Sequence, residues 1–242
     1  MAQDFKCVIF DFDDTLADTA AVVKKIRSAV IEQKILKKQG YDFTKKQVIK
    51  ALALMDKQAA RMQETERIKN PIIFAQFFLE NLGLKPSLKL AELCEKNFQL
   101  EKKKRIRLFP NAKRVLDFLK AKKKTLCVIT NASNNSNRRI AQKLGIKKYF
   151  KHFYSSHSHG GLKRDLKIFQ NLLKQLNKNA KQKIRPEECL MVGNHVGDDG
   201  AAKLVGMKVA LLKPTLKGKE HLKKLKPDFM LNDLKDIERI VK

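Results

Sequence analysis

Cys7-Val8-Ile9-Phe10-Asp11-Phe12-Asp13-Asp14-Thr15-Leu16 is the stretch that decides the fold. A short apolar run enters an Asp-x-Asp-x-Thr pattern. Four consecutive apolar residues read as a strand buried on both faces. Such a strand delivers the carboxylates that follow it to the carboxyl edge of a sheet, where open α/β folds bind ligands. Asp11 and Asp13, two residues apart, can share a hard cation or divide the work of nucleophile and general acid. The plain alternative is a polar exit from the sheet.

Working outward, the apolar runs at 125–130, 188–193 and 208–212 have the same look as 6–11, and shorter strands are predicted near 153–155 and 229–231. Helical periodicity fills the gaps between them. Val115, Leu116, Phe118 and Leu119 form one stripe after Pro110-Asn111. Arg138 to Leu144 stops at Gly145, and Leu166 to Leu176 repeats at helical spacing. A short helix over Ala201–Val205 ends at Gly206. Strand alternating with helix predicts a Rossmann-like, doubly wound parallel sheet.

Residues 17–104 break the rhythm, with helical patterning and no convincing strand. Four helices are predicted there: Ala20–Lys38, Val48–Arg67, one opened by Pro71 and stopped at Gly83, and Leu88–Leu100. The aromatic stripe of the third (Phe74, Phe77, Phe78) reads as bundle core. The expected organisation is therefore an α/β core from 1–16 and 105–242, with an all-helical insertion over 17–104.

Composition narrows the class. The chain of 242 residues can bury a sizeable core. No apolar run reaches the ~18 residues of a membrane span, and the start lacks the basic and apolar blocks of a secretory signal, so a cytoplasmic protein with no membrane partner is expected. Cys7, Cys94, Cys127 and Cys189 are scattered, which argues against a zinc site or a disulfide framework. Fifty-three Lys plus Arg against 25 acids give a formal charge of +28. Such a chain attracts polyanions at low salt. The lysines are spread along its whole length with few aromatics between them, as expected of a lysine-rich solvated surface. Nucleic acid or another polyanion is the alternative partner.

Three further motifs follow the later strands. Thr130-Asn131-Ala132-Ser133 brings a hydroxyl and an amide to a strand-to-helix turn, which suits phosphate oxygens or simple capping. Lys163, within Gly160-Gly161-Leu162-Lys163-Arg164-Asp165, places a cation just before a helix; Asp165 reads as a cap or as a group orienting Lys163. Gly193-Asn194-His195-Val196-Gly197-Asp198-Asp199-Gly200 combines acids, an amide and glycines, and reads as an oxygen-ligand metal site or a plain turn. His157, His159 and His195 lie in these loops and read mostly as solvated residues.

In this order and at these strand ends, the four motifs resemble the haloacid dehalogenase superfamily of phosphotransferases, phosphoglycolate phosphatases and their relatives in particular. Asp11, Asp13 and Thr15 match the first motif, Thr130 the second and Lys163 the third; Phe169 keeps the third motif's spacing, with Arg164 and Leu166 in place of its prolines. The insertion looks like that family's C1 cap. The resemblance implies a Mg²⁺-dependent phosphatase of small phosphomonoesters. In it Asp11 becomes an aspartyl-phosphate, Asp13 is general acid and base, and Thr130, Asn131 and Lys163 bind the phosphate. Mg²⁺ lies among Asp11, the main-chain carbonyl of Asp13, and the last motif.

That last motif departs from the family pattern of Gly-Asp with a second acid four or five residues on. Asn194 replaces the first acid, and counting back from Gly206 selects Asp198 over Asp199 as the second. Weaker metal binding follows, or a charge supplied by Asp198. A metal-free dehalogenase is disfavoured by Asp13, which that chemistry does not need; a mutase would need a water-excluding cap that has no local signature. The alternative from another class is a basic, weakly active or inactive protein of this fold that binds nucleic acid or another polyanion.

Overall fold

The computed structural model describes residues 2–28, 31–62, 72–85, 87–132, 136–156 and 158–242. The chain divides into two compact units, Met1–Asp18 with Arg107–Lys242, and Thr19–Ile106.

Every regular element among the described residues of the second unit is a helix: α1 Thr19–Ser28, α2 Ile31–Lys38, α3 Lys45–Arg61, α4 Ile73–Glu80 and α5 Leu88–Arg105. The predicted Ala20–Lys38 helix falls on α1 and α2, with residues 29 and 30 outside the description; Pro71 lies outside it too. The third element, α3, begins three residues before the predicted Val48 because Thr44 and Gln47 form a capping box, each side chain accepting from the other's backbone N–H at 3.3 and 2.8 Å. It ends at Arg61, where Met62 is extended; the rest of the predicted span, 63–67, lies outside the described residues. Beyond the predicted Leu100, α5 continues to Arg105. Its last turn carries Lys102, Lys103, Lys104 and Arg105, which favours the negative end of the helix dipole. Leu36, Val48, Ala51, Phe78, Leu79 and Ala91 form the bundle core, and Phe74 and Phe77 pack against it, as the stripe predicts.

The first unit is the sheet. Cys7–Phe10 is β1, buried at every residue. After the helical unit come α6 (Ala112–Ala121), β2 (Thr125–Thr130), α7 (Ser136–Lys143), β3 (His152–Ser155), α8 (Lys167–Leu176), β4 (Cys189–Gly193), β5 (Lys208–Leu212), β6 (Phe229–Leu231) and the short α9 (Ile237–Ile240). The six strands are all parallel and ordered β3-β2-β1-β4-β5-β6. All six match predicted strands. The order reverses between β1 and β4, and the carboxyl edge at such a switch point is where sheets of this kind bind ligands.

Packing follows from the pleat. Cys7 and Ile9 join Cys127, Ile129, Cys189 and Met191 on one face, covered by Ile168, Phe169 and Leu172 of α8. Cys7, Cys127 and Cys189 are fully buried free thiols acting as small hydrophobes. From α6, Val115, Leu116 and Leu119 are buried, as their stripe predicts. The predicted helix over 201–205 is a 3-10 helix, Gly200–Val205, closed by Gly206 with φ +84°. No described helix is long and apolar enough to cross a membrane.

Candidate active site

The sheet carries the first carboxylate directly. Asp11 follows β1 without a break: its N–H donates to the Val192 carbonyl at 2.8 Å, extending the β1–β4 ladder by one residue. It is therefore fixed at the switch point and is 7% exposed. Thr15 donates its hydroxyl to Asp11 Oδ2 at 3.3 Å.

Lys163 arrives from the loop before α8. Gly160 and Gly161 hold φ of +106° and +97°, a conformation that favours glycine, and let the chain double back. Asp165 then accepts the Leu162 N–H at 3.0 Å and caps the turn. Lys163 is 2% exposed, and its ammonium donates to Asp11 Oδ1 at 2.5 Å and to Asp199 Oδ1 at 2.6 Å. One cation thus bridges two buried carboxylates.

Asp199 is held as tightly. Its Oδ2 accepts the N–H groups of Asn194 and His195 at 2.8 and 2.9 Å. Gly193 is obligatory here, because a Cβ on it would lie 2.1 Å from that oxygen. The sequence count selected Asp198, but the inner acid is Asp199. The helical turn between it and Gly206 is 3-10, which winds roughly 20° more per residue than an α-helix and moves the inward position by about one residue over five. Asp198 lies one layer out, ion-paired with Arg164 at 3.3 Å and accepting from Asn131 Nδ2 at 3.1 Å.

That link gives Asn131 its place. Its Oδ1 accepts the Lys163 N–H at 3.0 Å while its Nδ2 donates to Asp198, so its side chain orients the Lys163 loop. Thr130 ends β2 with its Oγ1 accepting from the Ala132 N–H and from Asn137 Nδ2, both at 3.1 Å. Asn137 was not singled out in the sequence. It is fully buried on α7 and also donates to Asp13 Oδ2 at 2.6 Å, tying the two predicted catalytic groups together. Its only signal was a polar residue at a helix start.

Asn194 is 4% exposed; its Nδ2 donates to the Thr215 carbonyl at 3.0 Å. His195 accepts the Asp198 N–H at Nδ1 (3.2 Å). His159 stacks on Tyr154, ring centroids 4.1 Å apart. His157 lies outside the described residues.

Electrostatics follow from burial. Desolvation pushes Asp11 up to about 7, helped by Asp199 and Asp13 and opposed by Lys163. The same burial opposes charge on Lys163, but Asp11 and Asp199 outweigh it and hold the ammonium above its usual range. When both are ionised, two carboxylates sharing one ammonium leave a net negative charge at the cluster. No group of three or more His, Cys, Asp or Glu side chains is arranged to hold a metal among the described residues. Mg²⁺ does not need one: it takes one or two carboxylates, waters and substrate phosphate. Asp11, Asp199 and the amide of Asn194 fit that use.

Residues 5–206 match the model of the haloacid dehalogenase-like hydrolases. The chain belongs to this family. Among curated relatives, this hydrolase is 26% identical to the glyceraldehyde 3-phosphate phosphatase of Methanothermobacter thermautotrophicus over 242 residues, 98% of this chain and 99% of that one. It is 28% identical to the Pyrococcus furiosus enzyme of the same name over 214 residues, 86% and 80% of the two chains. Its fold is that of the HAD hydrolase YfnB from Bacillus subtilis, solved with magnesium, at a TM-score of 0.71 and 16% identity over 98% of both chains.

Proposed function

We propose that this HAD-family hydrolase is a phosphatase of small phosphomonoesters, working through an aspartyl-phosphate on Asp11. The observation that carries the reading is the buried Asp11–Lys163–Asp199 cluster at the switch point. An anionic nucleophile attacking an anionic phosphoryl group needs a fixed cation beside it, and Lys163 is that cation.

Asp11 Oδ attacks phosphorus as the ester P–O bond breaks, and Asp13 gives its proton to the departing oxygen. A water then attacks the aspartyl-phosphate and passes its proton to Asp13, returning both carboxyl groups to their starting states. Lys163 and the Thr130 hydroxyl hold the phosphoryl oxygens. Asp11, Asp199, the Asn194 side-chain oxygen and the Asp13 carbonyl would hold Mg²⁺. When bound, it neutralises phosphoryl charge. Asp198 works one layer out, through Asn131 and Arg164. The helical unit serves as the cap that selects substrate, and the relatives' name points to a small phosphorylated metabolite such as a triose phosphate.

The +28 charge and Asn194 motivate the second reading, an inactive polyanion-binding protein on this fold. A fully assembled carboxylate–ammonium cluster favours the enzyme. Hydrolysis of p-nitrophenyl phosphate with Mg²⁺, in the parent and in Asp11→Asn, tests the choice. Turnover that Asp11→Asn abolishes is expected. No turnover of any phosphomonoester with any divalent ion, alongside nucleic-acid binding that persists at ~0.2 M salt, would favour the binder.

A further inference from the structure

Between Asp13 and Thr15, Asp14 adopts φ +58°, a region a residue with a side chain seldom occupies, although Asp tolerates it better than most. It is 4% exposed, so its carboxylate has left water. Its N–H donates to the Ala17 carbonyl at 2.7 Å, its carbonyl accepts from the Thr215 hydroxyl at 2.8 Å, and its Oδ2 accepts from Lys217 Nζ at 2.7 Å.

Thr215–Lys217, just past β5, reaches the β4 loop as well. Asn194 Nδ2 donates to the Thr215 carbonyl at 3.0 Å, the Lys217 N–H donates to the Asn194 carbonyl at 2.8 Å, and the Val196 N–H donates to the Lys217 carbonyl at 2.9 Å. A carbonyl only accepts, so the amide of Asn194 must present nitrogen to Thr215. An aspartate at 194 would set two oxygens against each other. The amide is thus the side chain of this shape that can offer an oxygen on one side and a donor to the strap on the other.

We propose that Thr215–Lys217 is a strap joining the β1 and β4 loops, with Lys217 a positioning residue for the general acid Asp13. The inference rests on the reading of Asp13 as proton donor. The Asp13–Asp14 peptide is fixed through Asp14, so releasing Lys217 removes one of the restraints on the backbone that carries the Asp13 side chain. Lys217 itself is half exposed, and an ion pair of two exposed groups would contribute little. Here the partner is a buried carboxylate, so the pair is screened far less than one on the surface.

Two readouts on Lys217→Ala, Lys217→Arg and Asp13→Asn test it. In the first, kcat is compared on p-nitrophenyl phosphate, whose leaving group departs readily as an anion, and on phenyl phosphate, of nearly the same shape, whose leaving group needs a proton. Lys217→Ala should lose roughly ten-fold on phenyl phosphate relative to p-nitrophenyl phosphate, a fraction of the 10²–10⁴ a general acid supplies, and Lys217→Arg should recover most of it. Equal losses on both substrates, or none, overturn the strap's role if Asp13→Asn is selective. If Asp13→Asn is not selective either, the reading of Asp13 fails instead. In the second, hydrogen exchange at the amides of Asp14 and Val196 should quicken at least ten-fold in Lys217→Ala while Val8–Phe10 stay protected. Unchanged exchange at both amides overturns the strap whether or not the protein turns over either ester.

Discussion

Replacing Lys163 by Met removes the one cation between two buried carboxylates while keeping most of the side-chain volume. Breaking a buried ion pair by deleting one partner costs about 3–5 kcal/mol, because the other charge stays behind uncompensated. Here two charges stay behind, on Asp199 (0% exposed) and Asp11 (7% exposed), so the upper half of that range applies when both are ionised. For a chain of this size 1 kcal/mol moves the melting point by about 2–4 °C. The melting point of Lys163→Met should therefore fall by roughly 8–20 °C at alkaline pH. Acid softens the penalty. Asp11 already titrates near 7 with Lys163 present. Without the ammonium its folded pKa rises further, so the native variant binds more protons than the unfolded chain across the neutral range. Stability then falls as pH rises through that range, and recovers as pH drops toward the ordinary carboxylate value. Calorimetric melts of parent and variant near pH 8.5 and pH 5.5 give both quantities. A variant melting within 2 °C of the parent at the alkaline pH, or losing as much in acid as in alkali, would refute the claim that Lys163 compensates two buried charges.

Asp199→Asn should lower kcat about 100-fold or more, while Asp198→Asn, whose partners are Arg164 and Asn131, should lose less than ten-fold; initial rates of both variants under one set of conditions separate the inner acid from the outer one. Ionised Asp11 is the attacking form, and its carboxyl is pushed up to about 7 by burial. At limiting divalent ion, kcat/KM should thus fall about ten-fold per pH unit below ~7, and saturating Mg²⁺ should move that limb to lower pH, as seen in rate profiles at two Mg²⁺ levels. Gly193→Ala places a methyl 2.1 Å from Asp199 Oδ2 and should cost about 1–3 kcal/mol or more in urea unfolding, because the backbone of β4 or the Asp199 carboxylate must move.

The sheet was legible because parallel strands buried on both faces have to be written as short apolar runs. Val8–Phe10, Leu126–Ile129, Leu190–Val192 and Val209–Leu212 show this directly, and the weaker runs that became β3 and β6 lie at the two edges, where burial is partial. Asp11, Asp13, Thr130 and Lys163 were legible because each stands at or just beyond a strand or a helix start. Other features were set by contacts distant in sequence. Asn137 meets Asp13 across 124 residues, and Lys217 meets Asp14 across 203, so no local pattern marks either. The exchange of Asp198 for Asp199 turned on one residue of helical phase, which a count along the chain cannot distinguish when a turn is 3-10. Helix ends were misjudged where side-chain caps decide them, as Thr44 and Gln47 do for α3.

The central claim is that Asp11 carries the phosphoryl group. Rapid acid quench during turnover of p-nitrophenyl phosphate, followed by peptide mass spectrometry, tests it most directly. The account expects one phosphoryl group on the peptide containing Asp11 in the parent, and neither that adduct nor turnover in Asp11→Asn. A phosphoryl group on another residue, or undiminished hydrolysis by Asp11→Asn, would contradict it.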